Sequence, residues 1–228
     1  MYTDLYGNVY ITMKLDIKTI IGFVAIGVVA YLCRPLNYKI TEVLFDKKNN
    51  SDEEDVLSIS GNIDGHDYVD LGLSVKWATC NIGASKQEKY GNYFAWGETD
   101  KKYRYDFSKY SWRSDDAANA QWGESWRMPT KTECDELVNQ CSWKWTTIKG
   151  VKGYKVMARN GNWIFLPAAG YRHGDSIDDV GSYGHYWSST VNDSNNNDAY
   201  GLRFDSSSKG TYGSNYRVYG CSVRPVAE

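Results

Sequence analysis

The stretch GSYGHYWSSTVNDSNNNDAYGLRFDSSSKGTYGSNYRVYGCSVRPV, residues 181–226, decides how the rest of the chain is read. Between residues 182 and 219, 29 of 38 positions are Asn, Tyr, Ser, Gly, Asp, His or Arg, with one Lys and no Glu or Gln. Tyr offers large contact area with few rotatable bonds, while Ser, Gly and Asn offer adaptable hydrogen bonding; this is the alphabet of binding loops. The same small polar residues also punctuate tight turns in any β-rich protein. Within the stretch, YWSST, AYGLRF and CSVRPV have strand composition, separated by long polar loops. Strand alternation places Tyr200, Leu202 and Phe204 on one face and Arg203 with Asp205 on the other, so some of the tyrosines must belong to the core.

Moving toward the N-terminus, GYKVMA and WIFLP flank Asn160-Gly161, and Asn-Gly between two β-prone runs predicts a hairpin whose two turn residues both have positive φ. Before it, Thr130-Lys131-Thr132-Glu133 is a capping box. The Thr130 hydroxyl can take one free amide while Glu133 reaches back to another, which predicts a helix from about Lys131 to Cys141. Pro129 keeps the preceding segment out of the helix. DDAANA at 115–120 predicts a second, short helix capped by Asp115 or Asp116. YVDLGLSVKWATCNIG (68–83) and YGNYFAWGET (90–99) read as glycine-broken core strands.

The folded body is expected over residues 63–228, as one α+β, mainly β domain. Residues 34–62 include DKKNNSDEED, too polar to bury a core, and read as a linker. From Thr19 to Cys33 the chain is uncharged and almost wholly apolar. A membrane span needs about 20 such residues and a signal-peptide core about 7 to 15, so 19–33 reads as a transmembrane anchor or a signal core behind a leader at 1–18. Either way the body is expected to be exported to the cell envelope, with the membrane met through residues 19–33.

A net charge of −2 without a basic cluster argues against nucleic acid as a partner. Nine Trp and nineteen Tyr point to buried indoles and to phenols placed where one end is wet. Besides Cys33, the body holds Cys80, Cys134, Cys141 and Cys221, and the sequence leaves their pairing open. His66, His173 and His185 are isolated, and no nucleophile, base and orienting group can be assembled from spacing. No cofactor and no metal loop is indicated.

Taken in order, YVDLGL with WATCNIGA, YGNYFAWGET, SWRMPTKTECDEL, GYKV with IFLPAAGYR, GSYGHYWSST and GCSVRPV resemble the Fibrobacter succinogenes major paralogous domain family, collinearly over residues 67–227. The resemblance implies a C-type-lectin-like fold, related to formylglycine-generating-enzyme domains, with short helices and a twisted β core. It makes Trp126, Arg127, Pro129 and Arg224 scaffold residues, beside Thr130, Glu133, Asn160 and Gly161 from the local motifs. Cys134 stands where Trp is usual. The calcium-dependent sugar tripeptides of true lectins are absent, so carbohydrate binding does not follow from fold.

Some proteins of this fold are diversified by retroelements that mutate adenines. Changes at the first two positions of an AAY codon yield Asn, Tyr, Ser, Gly, Asp, His and Arg but never Lys, Glu, Gln, Met or Trp. The alphabet of 182–219 fits, with Lys209 and Trp187 held fixed.

The function expected is therefore a non-catalytic module binding a protein or glycan ligand. Its candidate contacts are Tyr183, His185, Tyr186, Asn192, Asp193, Asn195, Asn196, Asn197, Tyr200, Arg203, Tyr212, Asn215, Tyr216 and Tyr219, about half of them exposed. The alternatives are a structural, fimbria-like subunit and, behind it, an enzyme of formylglycine-generating type using Cys134 and Cys221.

Overall fold

The computed structural model describes residues 59–228 apart from residue 109, together with the backbone of β1 (Tyr2–Thr3) and β2 (Val9–Tyr10), which pair antiparallel. The expected apolar segment at 19–33, the remainder of the leader and the linker up to residue 58 lie outside the described residues. Residues 51–228 group into one unit, and its first strand begins at Gly61, slightly before the boundary at residue 63 expected from sequence. Among the described residues no helix is long and apolar enough to cross a membrane.

The body is mainly β, with open antiparallel sheets and two helices. β3 (Gly61–Ile63), β4 (His66–Val69) and β5 (Lys76–Ala78) pair in sequence order, and β14 (Val226–Ala227) adds to β5, so the two ends of the body lie in one sheet. Helix α1 (Ala117–Trp122) starts at Asp116, whose carboxylate accepts from the amides of Ala118 and Asn119. Helix α2 (Lys131–Gln140) starts at the predicted capping box: Glu133 N–H donates to Thr130 Oγ1 at 3.2 Å, and Thr130 N–H donates to Glu133 Oε2 at 2.7 Å.

β6 (Ser142–Ile148), β7 (Val151–Met157) and β8 (Trp163–Pro167) form a second sheet. The hairpin around Asn160-Gly161 is present, but only Gly161 has positive φ (86°). Gly161 N–H donates to Ala158 C=O at 3.1 Å and Ala158 N–H to Asn162 C=O at 2.9 Å, a longer loop than the expected two-residue turn. The reason is tertiary. The side-chain amides of Asn160 and Asn162 both donate to the Asp70 carbonyl, at 3.0 and 2.8 Å, tying the loop to the segment after β4.

β9 (Tyr171–His173) and β10 (Ser176–Asp178) make a small ribbon, and β11 (Gly184–Val191), β12 (Asp198–Phe204) and β13 (Lys209–Tyr216) make the third sheet of the body. Two expected strands differ. Residues 90–99 hold a single bridge, Phe94 to Cys221, because Gly91 and Gly97 at φ 76° turn the chain out of an extended run. At Gly97 a Cβ would also strike the Arg113 carbonyl, so only glycine fits. CSVRPV joins through isolated bridges before β14, and the third strand of the sheet is instead the small-residue segment β13.

The central core lies where α2 and the three large sheets meet: Val69, Trp77, Leu137, Val156, Leu166, Tyr186, Leu202 and Phe204 pack together. A second cluster, on the far face of the β11–β13 sheet, contains Trp187, Ala199, Phe94, Met128, Cys221 and Val223. Alternation along β12 is as expected, Leu202 and Phe204 facing α2 and the core while Arg203 faces away.

The scaffold residues are buried or bonded. Trp126 is fully buried and donates its indole N–H to Ile63 C=O at 3.2 Å. Arg127 clasps Glu133 through two bonds of 2.8 and 2.7 Å and also reaches Glu228, which joins the start of α2 to the C-terminus. Pro129 C=O accepts from Ser189 N–H at 2.8 Å. Arg224, only 1% exposed, donates to Asn81 Oδ1 and to the carbonyls of Ala78, Thr79 and Phe165. The four body cysteines are unpaired.

Candidate functional site

The face of the β11–β13 sheet turned away from α2 is covered over half its length and open over the rest. Trp187 is sealed there, its indole N–H donating to Phe94 C=O at 2.7 Å. Two residues earlier on the same face, His185 stands opposite Arg203 of β12 and is roofed from one side only. The roof comes from far in sequence. Arg172 and Gly220 exchange backbone hydrogen bonds of 2.7 and 3.0 Å, which sets Tyr171 of β9 beside Tyr219, ring centroids 5.3 Å apart. A turn closed by Tyr219 N–H to Tyr216 C=O then brings Tyr216 edge-on to Tyr219 at 5.4 Å.

The result is an open cleft of about 430 Å³, inside the range of about 300–1,000 Å³ that small-molecule sites occupy. Tyr183, His185, Arg203, Asn215, Tyr216 and Tyr219 of the sequence-predicted set line it together. Tyr171, Asp179, Ser214 and Cys221 also line it and were missed. Of these only Ser214, on β13, lies within residues 182–219, where the polar alphabet pointed to contacts; the others arrive through tertiary pairing. Aromatic contacts continue outward from the cleft, since the exposed Phe107 ring lies 6.3 Å from Tyr216.

The floor is polar and positively charged. His185 is 9% exposed, and burial first, then the Arg203 guanidinium, hold its imidazole down at about pH 4, against a hydrogen bond with Asn215 that favours the proton. It is therefore neutral at pH 7. Arg203 has no carboxylate partner among the described residues; its guanidinium lies 4.8 Å from the centroid of the Tyr212 ring. The Cys221 thiol is fully buried and pushed up by desolvation, so it stays protonated. Among the described residues no hydrogen bond joins Ser214 to His185, and no group of acidic, His and Cys side chains is arranged to hold a metal ion.

The other predicted contacts fall elsewhere. Tyr186 is 3% exposed, its hydroxyl donating to Pro167 C=O at 2.7 Å: it is a core residue, because the bulk of its ring fills the space between β8 and β11. Asn192, Asp193, Asn195, Asn196 and Asn197 form the β11–β12 loop, outside the cleft. There Asn192 Oδ1 accepts from Ser194 N–H, Asn192 Nδ2 donates to Gly213 C=O at 2.6 Å and Asn195 Nδ2 donates to Asp198. These amides build the turn, the bland alternative for this composition. Asp193, Asn196 and Asn197 are exposed. Tyr200 lies on the α2 side beneath Lys131, whose ammonium is 5.5 Å from its ring centroid, and Tyr212 supports Arg203.

Arg217 carries a role that the sequence did not signal. It is 8% exposed, lies 4.2 Å from the Trp96 ring centroid, and donates to the carbonyls of Asn196 and Arg113, pinning the Asn-rich loop. Cys134 and Cys221 belong to separate core clusters on opposite faces of the β11–β13 sheet.

Residues 143–226 are similar to a sequence family described as a Domain of unknown function (DUF8237). The matched span runs from β6 into β14 and takes in the whole β11–β13 sheet. No curated protein and no solved structure matches the chain.

Proposed function

We propose that this protein is a non-catalytic ligand-binding module, displayed at the cell envelope, that holds its ligand in the cleft lined by Tyr183, Arg203, Tyr216 and Tyr219. The observation that carries the reading is that Tyr183, Tyr216 and Tyr219 line one cleft with Arg203, a cation without a carboxylate partner among the described residues. Aromatic rings and Arg are the residue types that dominate binding energy at recognition surfaces. A C-type-lectin-like fold of the major paralogous domain type is the architecture this reading adopts, supported by the collinear motifs and the mainly β body. The apolar run at 19–33 supports display.

Catalysis of the formylglycine-generating type is disfavoured by the separation of Cys134 from Cys221 and by the neutral, buried state of both thiols. A structural, fimbria-like role draws on the free edge of β13 beside exposed Tyr216. If the C-terminal stretch is diversified, rim residues such as Tyr183 and Tyr216 vary while buried Trp187 stays fixed, and a near-copy of this coding segment beside a reverse transcriptase gene marks it. The binding reading is tested by probing glycan and peptide arrays with the full chain and with Arg203→Gln and Tyr219→Ala variants. A ligand that both variants retain at full strength places binding outside the cleft.

A further inference from the structure

A second cleft, of about 350 Å³, adjoins the first, and Tyr183 lines both. Its walls carry Trp145, Lys152 and Asp205. Each cleft therefore repeats one pattern: an aromatic face, a cation with no ion pair among the described residues, and one carboxylate, Arg203 with Asp179 in the first and Lys152 with Asp205 in the second. Asp205 is fixed by its own turn. Its Oδ1 accepts from Ser207 N–H, Ser207 Oγ–H and Ser208 N–H at 2.7 to 2.9 Å, while Oδ2 takes only Ser208 Oγ–H at 3.0 Å and keeps accepting capacity.

This pattern selects among anions. A ligand charged along its whole length, such as polyphosphate or nucleic acid, would meet Asp179 and Asp205 as well as the cations. A ligand that alternates carboxylates with hydroxyl donors satisfies both signs: carboxylates pair with Arg203 and Lys152, and hydroxyls donate to Asp179 and Asp205. Flat apolar ring faces against Tyr183 and Trp145 complete the match, and a polymer spanning both clefts gains from two linked sites. Resting on the binding-module reading above, we propose that the two clefts hold successive rings of an acidic polysaccharide, a chain of carboxylated pyranoses, with Arg203 taking one carboxylate and Lys152 the next.

The test is calorimetric titration of the full chain with monomers, dimers and tetramers of several uronic acids, each paired with its carboxyl-reduced counterpart, and with a glutamate oligopeptide of similar length. At least one uronate tetramer is expected to bind about tenfold or more tighter than its monomer. Its carboxyl-reduced form is expected to bind about tenfold more weakly. Arg203→Gln should weaken every acidic ligand that binds, whereas Lys152→Gln should weaken only dimers and longer. Lys152 is exposed, so its replacement does not threaten folding. Equal binding of acidic and reduced oligomers, lost in Tyr219→Ala, leaves the cleft a binding site and overturns the acidic specificity alone. Equal binding of the glutamate peptide, an unchanged Lys152→Gln profile, or no binding by any uronate also overturns the proposal, while the array experiment above decides the binding-module reading separately.

Discussion

Acidification should destabilise this protein through the imidazole of His185. His185 is 9% exposed, and burial with Arg203 beside it keeps the folded-state ring neutral down to about pH 4. In the unfolded chain the same ring takes its proton near pH 6.5. Between these values the unfolded state binds the proton and the folded state does not, so stability rises with pH across the window. The contribution is complete above about pH 6.5 and is lost as pH falls toward 4. At about 1.4 kcal/mol per decade, the loss reaches about 3 kcal/mol. That is a large part of the roughly 5–15 kcal/mol that holds a domain folded. The assay is urea unfolding of the full chain followed by tryptophan fluorescence at about pH 7, 5.5 and 4.2 for the wild type and His185→Gln. Gln keeps a donor for Asn215 and does not titrate. Glu133, Asp135 and Asp205, whose carboxyls are held below their ordinary values, also lose stability in acid. They are present in both proteins, so the difference between the two curves isolates His185. It should shrink by about 3 kcal/mol from neutral to acid pH. A difference that does not change with pH would refute the reasoning and mean that the folded-state imidazole reaches water or an acidic partner.

Two further substitutions probe the scaffold. Arg224→Met leaves four buried acceptors, on Asn81, Ala78, Thr79 and Phe165, without their donor, and should cost about 3–5 kcal/mol in urea unfolding; a loss below about 1 kcal/mol would show that water replaces the guanidinium. Thr130→Ala should cost about 1 kcal/mol by removing the hydroxyl that caps α2, and Thr130→Ser should restore most of it; equal losses for both would show that the hydroxyl is not what matters.

The elements legible in the sequence were those whose cause is local. The capping box at Thr130 and Glu133 closes within four residues, and its helix formed where expected. Asp116 likewise caps α1. β6 was missed, although Trp143 and Trp145 alternate with exposed Ser142 and Lys144, a period-two signal that the preceding helix obscured. β13 was missed because KGTYGSNY has no apolar alternation; it is a strand because β12 supplies its hydrogen-bond partners. The aromatics of residues 90–99 suggest a strand, but the positive φ of Gly91 and Gly97 breaks it.

The same division runs through the candidate site. Composition marked residues 182–219 as contact-rich, and six of the predicted residues do line the cleft: Tyr183, His185, Arg203, Asn215, Tyr216 and Tyr219. Composition could not separate them from Tyr186, which fills the core, or from Asn192 and Asn195, which bond their own turn, because the same side chain serves packing, turn building or recognition according to what surrounds it. By itself the sequence determined the helix caps, the place of the hairpin though not the form of its turn, and the alternation that turns Arg203 away from Leu202 and Phe204. These depend on hydrogen bonds and periodicities spanning a few residues. Only the tertiary structure decided that Arg203 would share an open cleft with Tyr171 and Tyr219, because the placement of those two tyrosines is set by the pairing of Arg172 with Gly220, far apart in the chain and brought together by packing of the body.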